Sequence, residues 1–231
     1  MGEMKIVIAV AHADDETIGC FSVMSEHTKN VLVLHATNSA PRDLKYALRA
    51  GFLTRASYQA ARRREILDAL AVLDIGKDQF ECLDIADQEA PIEWPRIRAR
   101  VAELNPDIVY THAYEGGHPD HDALARALAG LPNVHEFPLY HAHGAEMVPH
   151  EFIDGAPERT VQLTAAQQAV KRKMLGCFRS QQRVIAGFPI AHELYRPMRA
   201  YDFANPPHVG QLYYERRKLG WTWPEWRAAT T

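Results

Sequence analysis

The sequence has few cysteines, no long apolar run and little excess charge of either sign. Its three cysteines, Cys20, Cys82 and Cys177, are widely spaced, and no CxxC pair occurs. The odd number and the spacing argue against a disulfide framework and against a cysteine zinc site, and they are typical of buried thiols in a reducing compartment. No apolar run approaches the roughly 20 residues that a membrane-spanning helix needs. We therefore expect neither a disulfide-stabilised protein nor a membrane protein.

The charge balance and the N-terminal residues exclude further classes. The formal net charge is −3 over 231 residues, which gives no electrostatic reason to expect binding to nucleic acid or to an anionic membrane. The first residues, MGEMKIVIAV, lack the cleavage signature of a signal peptide. We therefore expect a cytoplasmic protein.

Alternating strand and helix patterns predict the fold of the first part of the chain. The patterns predict strands at 5–11, 30–37, 79–85, 107–113 and 133–142, and helical segments at 16–27, 41–75 with a break at Gly51, 93–105 with Pro95 in its first turn, and 123–131. Continuous β-branched runs such as KIVIAVA are typical of strands covered on both faces. This alternation favours an α/β fold, a Rossmann-like three-layer αβα sandwich with a mostly parallel sheet.

The rest of the chain is less regular. A strand is predicted at 160–163 and a helix at 165–182, and no repeat, low-complexity tract or flexible linker separates them from the first part. We therefore expect one domain over 1–231, with a Rossmann-like core at 1–142 and a C-terminal α+β extension at 143–231 packed on it.

Histidine is abundant, with twelve residues, and two clusters of histidine and aspartate follow predicted strands. The segment HADD at 12–15 follows the first strand, and HPDH at 118–121 lies shortly after the fourth. Taken alone, the first cluster also suits a helix N-terminus with an acidic first turn, and the second a polar turn. Ligands of open α/β sheets bind beyond the carboxyl ends of the strands. The presence of both clusters at such ends favours convergence on one metal ion.

The residue types in these clusters suit a hydrolytic zinc centre. Such centres commonly take two imidazoles and a carboxylate from the protein, which His12, Asp15 and His121 supply. Asp14 then remains free to accept a proton from water activated by the metal. We expect one Zn²⁺ per chain; the same ligand set also suits a facial triad, so Fe²⁺ stays open as the alternative ion.

The remaining polar residues of the second cluster have roles in the same chemistry. His118 is separated from His121 by Pro119, so the two imidazoles need not point the same way. It is therefore placed to protonate a leaving group or to stabilise an oxyanion. Asp120 is placed to hold one histidine tautomer.

AHADDE together with GHPDHD resembles the paired signatures of the PIG-L/LmbE-like family of zinc-dependent N-deacetylases. The resemblance extends to ARRREILDALAVLDI, which looks like the family's Arg-x-x-Glu helix. It also includes TVQLTAAQQAVKRKMLGCFRSQQ, similar to a late strand and a Lys-rich helix ending in Ser-Gln, and the stretch AHELYRP. The resemblance implies zinc ligation by His12, Asp15 and His121, general base catalysis by Asp14, an electrophilic or acid role for His118 tuned by Asp120, and substrate contact by Arg62.

The sequence departs from the family pattern in three places. Ala13 stands where the first motif usually has proline, and the Gly-Gly that usually follows this motif is missing. The second strand ends in HATNSAP instead of a Thr-Asp-Gly-like turn. These loops line the substrate pocket in relatives. The resemblance therefore predicts the metal chemistry of this chain better than it predicts the substrate.

Together these features predict a zinc-dependent hydrolase that removes an acetyl group from the amide nitrogen of an N-acetylated amino sugar, a GlcNAc-type glycoside or small glycoconjugate. The alternative is an amidohydrolase for another N-acyl small molecule, such as a thiol-conjugate amide or an antibiotic precursor. A degenerate binding module is disfavoured because every proposed catalytic residue is present. Homo-oligomerisation, the roles of His141 and His143, and sugar stacking by the tryptophans of GWTWPEW stay open.

Overall fold

The computed structural model describes residues 4–231, and its main body is a sheet covered by helices on both faces. The strands are β1 (Ile6–Val10), β2 (Val31–Pro41), β3 (Phe80–Asp87), β4 (Ile108–His112), β5 (Val134–Phe137), β6 (Tyr140–His143), β7 (Glu146–Pro149), β8 (Arg159–Gln162) and β9 (His192–Pro197). The α-helices are α1 (Asp15–Glu26), α2 (Leu44–Arg49), α3 (Arg55–Ala71), α4 (Ala90–Leu104), α5 (Pro119–Leu128), α6 (Ala165–Leu175), α7 (Gln182–Ile185), α8 (Tyr213–Arg216) and α9 (Trp223–Ala229). Among these described residues, no helix has the length and apolar character that crossing a membrane requires.

The strand order explains where a site can form. Over residues 4–231, seven strands form one sheet in the order β3-β2-β1-β4-β5-β9-β8. The first five in this order run parallel, β9 pairs antiparallel with β5, and β8 pairs antiparallel with β9. β6 and β7 form a separate hairpin. The predicted mostly parallel sheet is confirmed, and two strands of the C-terminal part, β8 and β9, continue this sheet.

The central strand β1 is buried on both faces, as its continuous apolar run predicts. Ile6, Ile8 and Val10 belong to one core with residues of α1, α3 and α6. Val7 and Ala9 belong to a second core with residues of α4 and α5. The predicted three-layer αβα sandwich is therefore confirmed. The pairing of β9 with β5 supports a single domain over 1–231, which stays a prediction.

The bounds of two helices differ from the sequence prediction because of proline. α4 begins at Ala90 with Pro91 in its first turn, so Pro95 lies inside the helix and not in the first turn as predicted. α5 begins at Pro119, where the missing N–H costs nothing, and the second cluster therefore lies in the first turn of a helix.

Two other predicted elements are shorter than expected. The strand predicted at 133–142 is two strands, β5 and β6, that belong to different sheets and are interrupted at Pro138. Proline cannot donate to a strand ladder, which accounts for the interruption. The helix predicted at 165–182 ends at Leu175, and a 3-10 turn at Arg179–Gln181 follows.

Helix α1 contains a break that a buried ion pair stabilises. Cys20 has the non-helical angles φ −133° and ψ 21°. The Glu193 carboxylate accepts the N–H groups of Phe21 and of the next residue at 3.0 and 2.8 Å. Lys171 Nζ donates to the Ile18 carbonyl at 2.7 Å and to Glu193 Oε1 at 2.6 Å. The pair thus satisfies backbone groups that the break leaves without helical partners. This gives a structural role to Lys171 of the Lys-rich helix and to Glu193 of the AHELYRP stretch.

We expect Glu193→Gln to lower the free energy of unfolding by about 3 kcal/mol at neutral pH, because it leaves Lys171 as a buried, uncompensated charge. Burial alone would raise the pKa of Glu193, but Lys171 and the surrounding hydrogen-bond donors hold it below its usual value. Such a carboxylate stabilises the fold above its unfolded pKa of about 4.3, and the contribution is lost as the pH falls through the folded pKa.

Denaturant unfolding of the wild type and of Glu193→Gln between pH 3 and 7 measures the free energy of unfolding that the Glu193 carboxylate contributes. The difference is expected to be largest at neutral pH and to shrink in acid. Glu26→Gln is the matched control, because it breaks the half-exposed Arg159–Glu26 pair, which is expected to contribute less than about 1 kcal/mol. Equal losses in the two variants would contradict a stabilising role for the buried pair.

Candidate active site

The structure brings the two polar clusters together at one edge of the sheet. β1 and β4 are parallel neighbours, with Ile6 opposite Ile108 and Ile8 opposite Tyr110. The strand order reverses between them, because β2 and β3 lie on one side of β1, and β4 and β5 on the other. Such a switch point opens a crevice at the carboxyl ends of the strands. The chain enters this crevice at residues 12–15 and again at 118–121.

Three predicted metal ligands place one donor atom each at the corners of a nearly equilateral triangle. The distances are 3.3 Å from His12 Nδ1 to Asp15 Oδ2, 3.3 Å from His12 Nδ1 to His121 Nε2, and 3.3 Å from His121 Nε2 to Asp15 Oδ2. A tetrahedral zinc ion with bonds of about 2.0–2.1 Å needs ligand atoms about 3.3 Å apart. The donor set and its spacing therefore fit this ion.

The orientation of His12 is set by carboxylates on its far side. Its Nε2 lies 3.1 Å from Asp120 Oδ2 and 3.4 Å from Asp87 Oδ1. Asp120 is itself fixed, because it accepts the N–H groups of Gln88 at 2.7 Å and Ala90 at 3.1 Å. Burial alone would lower the pKa of His12, but Asp87, Asp120 and Asp15 raise it well above its usual value. With a metal ion in the triangle, Nδ1 would be the ligand atom and Nε2–H would face Asp120.

Asp120 therefore contacts a different histidine from the one that the resemblance implied. Its carboxylate is 3.8 Å from His118 Nδ1, too far for a hydrogen bond. The backbone N–H of Asp120 instead donates to His118 Nδ1 at 3.2 Å. His118 thus carries its proton on Nε2, which lies 3.7 Å from Asp87 Oδ1.

Three further side chains belong to the site beyond the residues of the two clusters. Asp87 ends β3, and its Oδ1 is buried between His12 and His118 with no hydrogen-bond partner among the described residues. His112 ends β4, accepts the N–H of Ala11 at 3.0 Å and stacks on His121 with ring centroids 4.0 Å apart. Tyr140 packs edge-on against His121 at 5.5 Å. The strand-end rule that found the two clusters also applies to Asp87 and His112.

Burial and neighbouring charges give the carboxylates of the first cluster different proton affinities. Burial raises the pKa of Asp14 to about 7; Arg62 opposes the rise and Asp15 adds to it. The pKa of Asp15 is instead well below its usual value, because His121 and His112 outweigh the effect of burial. Burial lowers the pKa of His121 to about 3, which keeps this imidazole neutral. A neutral imidazole and an ionised carboxylate are the forms that bind metal.

Arg62 lies beside Asp14 and is almost fully buried. Its NH2 is 3.2 Å from Asp14 Oδ2, and its NH1 is 3.1 Å from Glu65 Oε2. The guanidinium borders the cavity of the site, and the substrate contact implied for it by the resemblance stays a prediction.

A cavity of about 230 Å³ opens above the clusters. Apolar and aromatic side chains form much of its wall and its mouth, which are lined by Ile18, Pro41, Tyr46, Tyr58, Tyr140, Val184, Phe188 and Leu219. The cavity is therefore polar at its base and apolar around it, as ligand sites commonly are.

The tryptophans near the C-terminus dock onto the body of the protein. Trp226 is fully buried and donates to the Pro119 carbonyl at 2.9 Å, and Trp221 donates to the Gln88 carbonyl at 2.7 Å. None of the three tryptophans of GWTWPEW lines the cavity. Within residues 4–231, His141 and His143 belong to no group of three candidate metal ligands.

A family model described as PIG-L, GlcNAc-PI de-N-acetylase, matches residues 7–130, more than half of the chain. The chain belongs to the PIG-L family. The match includes both clusters, and it confirms the predicted family and the predicted enzyme class of N-deacetylases. A search of curated protein sequences found no significant match.

Solved structures share the PIG-L fold at low sequence identity. The zinc-inhibited form of teicoplanin deacetylase Orf2 is 16% identical with a TM-score of 0.61, covering 80% of this chain and 87% of that chain. N,N'-diacetylchitobiose deacetylase from Pyrococcus horikoshii is 18% identical with a TM-score of 0.56, covering 84% of each chain. GalB, a 4-carboxy-2-hydroxymuconate hydratase from Pseudomonas putida, is 18% identical with a TM-score of 0.53, covering 86% of this chain and 99% of that chain. At these identities the likeness shows the fold.

Two departures from the usual PIG-L pattern compensate for each other. The N–H of Ala13, which proline would lack, donates to Ser39 Oγ at 2.8 Å. Ser39 has a φ of 56°, a left-handed conformation that suits the glycine of the family's usual Thr-Asp-Gly-like turn. The serine hydroxyl and the alanine N–H thus form a contact that proline and glycine cannot make.

We expect the substitutions Ala13→Pro and Ser39→Gly to be coupled. Each alone leaves one buried partner of this hydrogen bond unsatisfied, at a cost of about 1–3 kcal/mol, whereas the double variant removes donor and acceptor together. Denaturant unfolding of the wild type, both single variants and the double variant measures the coupling, expected at about 1 kcal/mol or more. Strictly additive losses would contradict the compensation.

Proposed function

We propose that the chain is a zinc-dependent N-deacetylase that releases acetate from the amide nitrogen of an N-acetylated amino sugar, in a GlcNAc-type glycoside or small glycoconjugate. The observation that carries the proposal is the 3.3 Å triangle of His12, Asp15 and His121 donor atoms, next in the chain to the carboxylate of Asp14, which takes no part in the triangle and pairs with Arg62. Membership in a family named for de-N-acetylation supports the bond that is cleaved.

The ion supplies one part of the chemistry and the chain supplies the rest. His12, Asp15 and His121 would hold a zinc ion, which would supply Lewis acidity toward the amide carbonyl and toward water. Asp14 accepts the proton of the attacking water, whose oxygen joins the acyl carbon. The carbon–nitrogen bond then breaks, and the proton goes to the leaving nitrogen, so that the products are acetate and a primary amine.

His118 acts from the other side of the reacting group. Because its Nδ1 accepts the Asp120 N–H, its Nε2–H is the free donor. This N–H stabilises the negative charge that develops on the acyl oxygen. The same Asp120 N–H bond to Nδ1, at 3.2 Å, keeps the imidazole oriented.

An amino sugar suits both the cavity and the similar structures. By their names, one of these similar enzymes deacetylates teicoplanin and the other deacetylates N,N'-diacetylchitobiose. The polar base of this chain's cavity suits an acetamido group. Its aromatic and apolar walls, with Tyr46, Tyr58 and Phe188, suit the faces of a sugar ring or its aglycone.

We expect the purified protein to bind one zinc ion per chain, and His121→Gln to lose it, because two donors of a tetrahedral site bind far more weakly than three. Metal analysis after dialysis measures the stoichiometry. Asp14→Asn keeps all three ligands and is expected to retain zinc, and His143→Gln, on the exposed end of β6, serves as the control. Full zinc content in His121→Gln would contradict the ligand assignment.

We expect Asp14→Asn to lose turnover by about 10²–10⁴-fold, because the amide cannot accept the proton of water. The measurement is acetate and primary amine release from a panel of N-acetylated sugars and glycosides. Chelation is expected to abolish the activity, and added Zn²⁺ to restore it. A metal-loaded wild type that releases no acetate from any member of the panel would contradict the proposed function.

A further inference from the structure

One side chain outside both clusters contacts the chain at or beside each of the three candidate metal ligands. His112 ends β4, and its Nε2 accepts the N–H of Ala11, the residue before His12, at 3.0 Å. The same nitrogen lies 3.4 Å from Asp15 Oδ2. The His112 ring stacks on the His121 ring, with centroids 4.0 Å apart and an angle of 2° between the planes. A single imidazole therefore borders all three segments that carry a ligand atom.

His112 is close to the ligands without being placed as one of them. Its Nε2 lies near the donor atoms of Asp15 and His121, but the lone pair of this nitrogen accepts the Ala11 N–H. This hydrogen bond assigns the ring proton to Nδ1, which is buried and has no hydrogen-bond partner among residues 4–231. The lone pair that would bind a metal ion is thus already used by the backbone.

The His112 ring is held from behind by its neighbours in the fold. Phe137, opposite His112 in the pairing of β4 with β5, contacts it with ring centroids 5.3 Å apart. Phe137 in turn packs on α1 at Gly19, where an added Cβ would lie 2.3 Å from the phenyl ring. His112 is itself almost fully buried. Because the ring has no room to move, its face and its Nε2 keep a fixed place beside His121 and Asp15.

We propose that His112 is a positioning residue for the metal ligands. Its ring face sets the plane of the His121 imidazole, and its Nε2 fixes the backbone at Ala11, from which His12 follows directly. The proposal rests on the proposed function only through the choice of ligands. Side chains that orient metal ligands commonly change metal affinity by about 10- to 100-fold. The effect of His112 is therefore expected in zinc affinity and in the coordination geometry of the bound ion.

Two substitutions separate the contacts of His112. His112→Phe keeps a flat ring against His121 but removes the acceptor of the Ala11 N–H. His112→Gln removes the ring, while its amide oxygen can accept that N–H. Each variant is expected to bind one zinc ion per chain with a Kd raised by about 10-fold or more. The matched control is His135→Phe, because His135 of β5 also stacks on an aromatic ring, that of Tyr110, and does not line the cavity.

The zinc Kd is measured by competition with a chelator, and the coordination geometry by the visible absorption bands of the Co²⁺-loaded protein. Both His112 variants are expected to show altered bands at saturating Co²⁺, and His135→Phe is expected to match the wild type in Kd and bands. Denaturant unfolding of the metal-free proteins measures the contribution of His112 to stability alone. A lower free energy of unfolding with unchanged Kd and unchanged bands would overturn the positioning role. His112→Gln, which retains an acceptor for Ala11, gives this result even if His112→Phe does not fold.

The remaining outcomes distinguish this proposal from its alternatives. A loss of zinc as complete as that expected for His121→Gln would show that His112 is itself a ligand, and would overturn the positioning role. A wild type that binds zinc and responds to the His112 substitutions, but releases no acetate from the panel of N-acetylated sugars, would refute the proposed function alone. A wild type that releases acetate, with the zinc Kd unchanged in both His112 variants, would refute the positioning role alone.

Discussion

The parallel pairing of β1 with β4 is the constraint on which the candidate site depends. His12 and His121 are 109 positions apart in the chain, yet their ring nitrogens lie 3.3 Å from each other. A shift of one residue in the register would reverse the face of every side chain that follows. The register is held by the alternation of β1 between two cores, because a slip of one residue would exchange the larger Ile6, Ile8 and Val10 of one core with the smaller Val7 and Ala9 of the other. The geometry of the metal ligands is thus a consequence of core formation.

Buried polar groups of the C-terminal part then fix the first cluster more exactly than the sheet alone does. The Lys171–Glu193 pair supports the broken helix whose first residue is Asp15, and hydrogen bonds run from Ser180 through Glu65 and Arg62 to Asp14. Both networks are buried, and buried charges are tolerated only when they are paired and hydrogen-bonded. The late sequence motifs therefore help to position Asp14 and Asp15 of the first motif. They do so through long-range contacts, which local sequence patterns do not reveal.

Local patterns predicted the sandwich, the break near Gly51 and the meeting of the two clusters, because strand burial and strand ends leave signals within a few residues. They did not predict the antiparallel entry of β9 beside β5, which depends on pairing across the fold. The family resemblance assigned Asp120 to His118, although its carboxylate contacts His12. Which ring nitrogen faces which carboxylate depends on side-chain directions that spacing does not contain. Asp87 was missed for a simpler reason: it stands alone, without a histidine beside it in the chain.

The contact of Trp221 with the loop after β3 has a consequence for biosynthesis. The Trp221 indole N–H donates a hydrogen bond to the Gln88 carbonyl, and the Gln88 N–H donates one to Asp120. Asp120 in turn orients His12. A ribosome releases the chain from its N-terminal side, so His12, Asp15 and His121 emerge long before Trp221. The nascent chain therefore carries every metal ligand while it still lacks the residue that closes this path. Full rigidity of the site is reached only after the tail has emerged and docked.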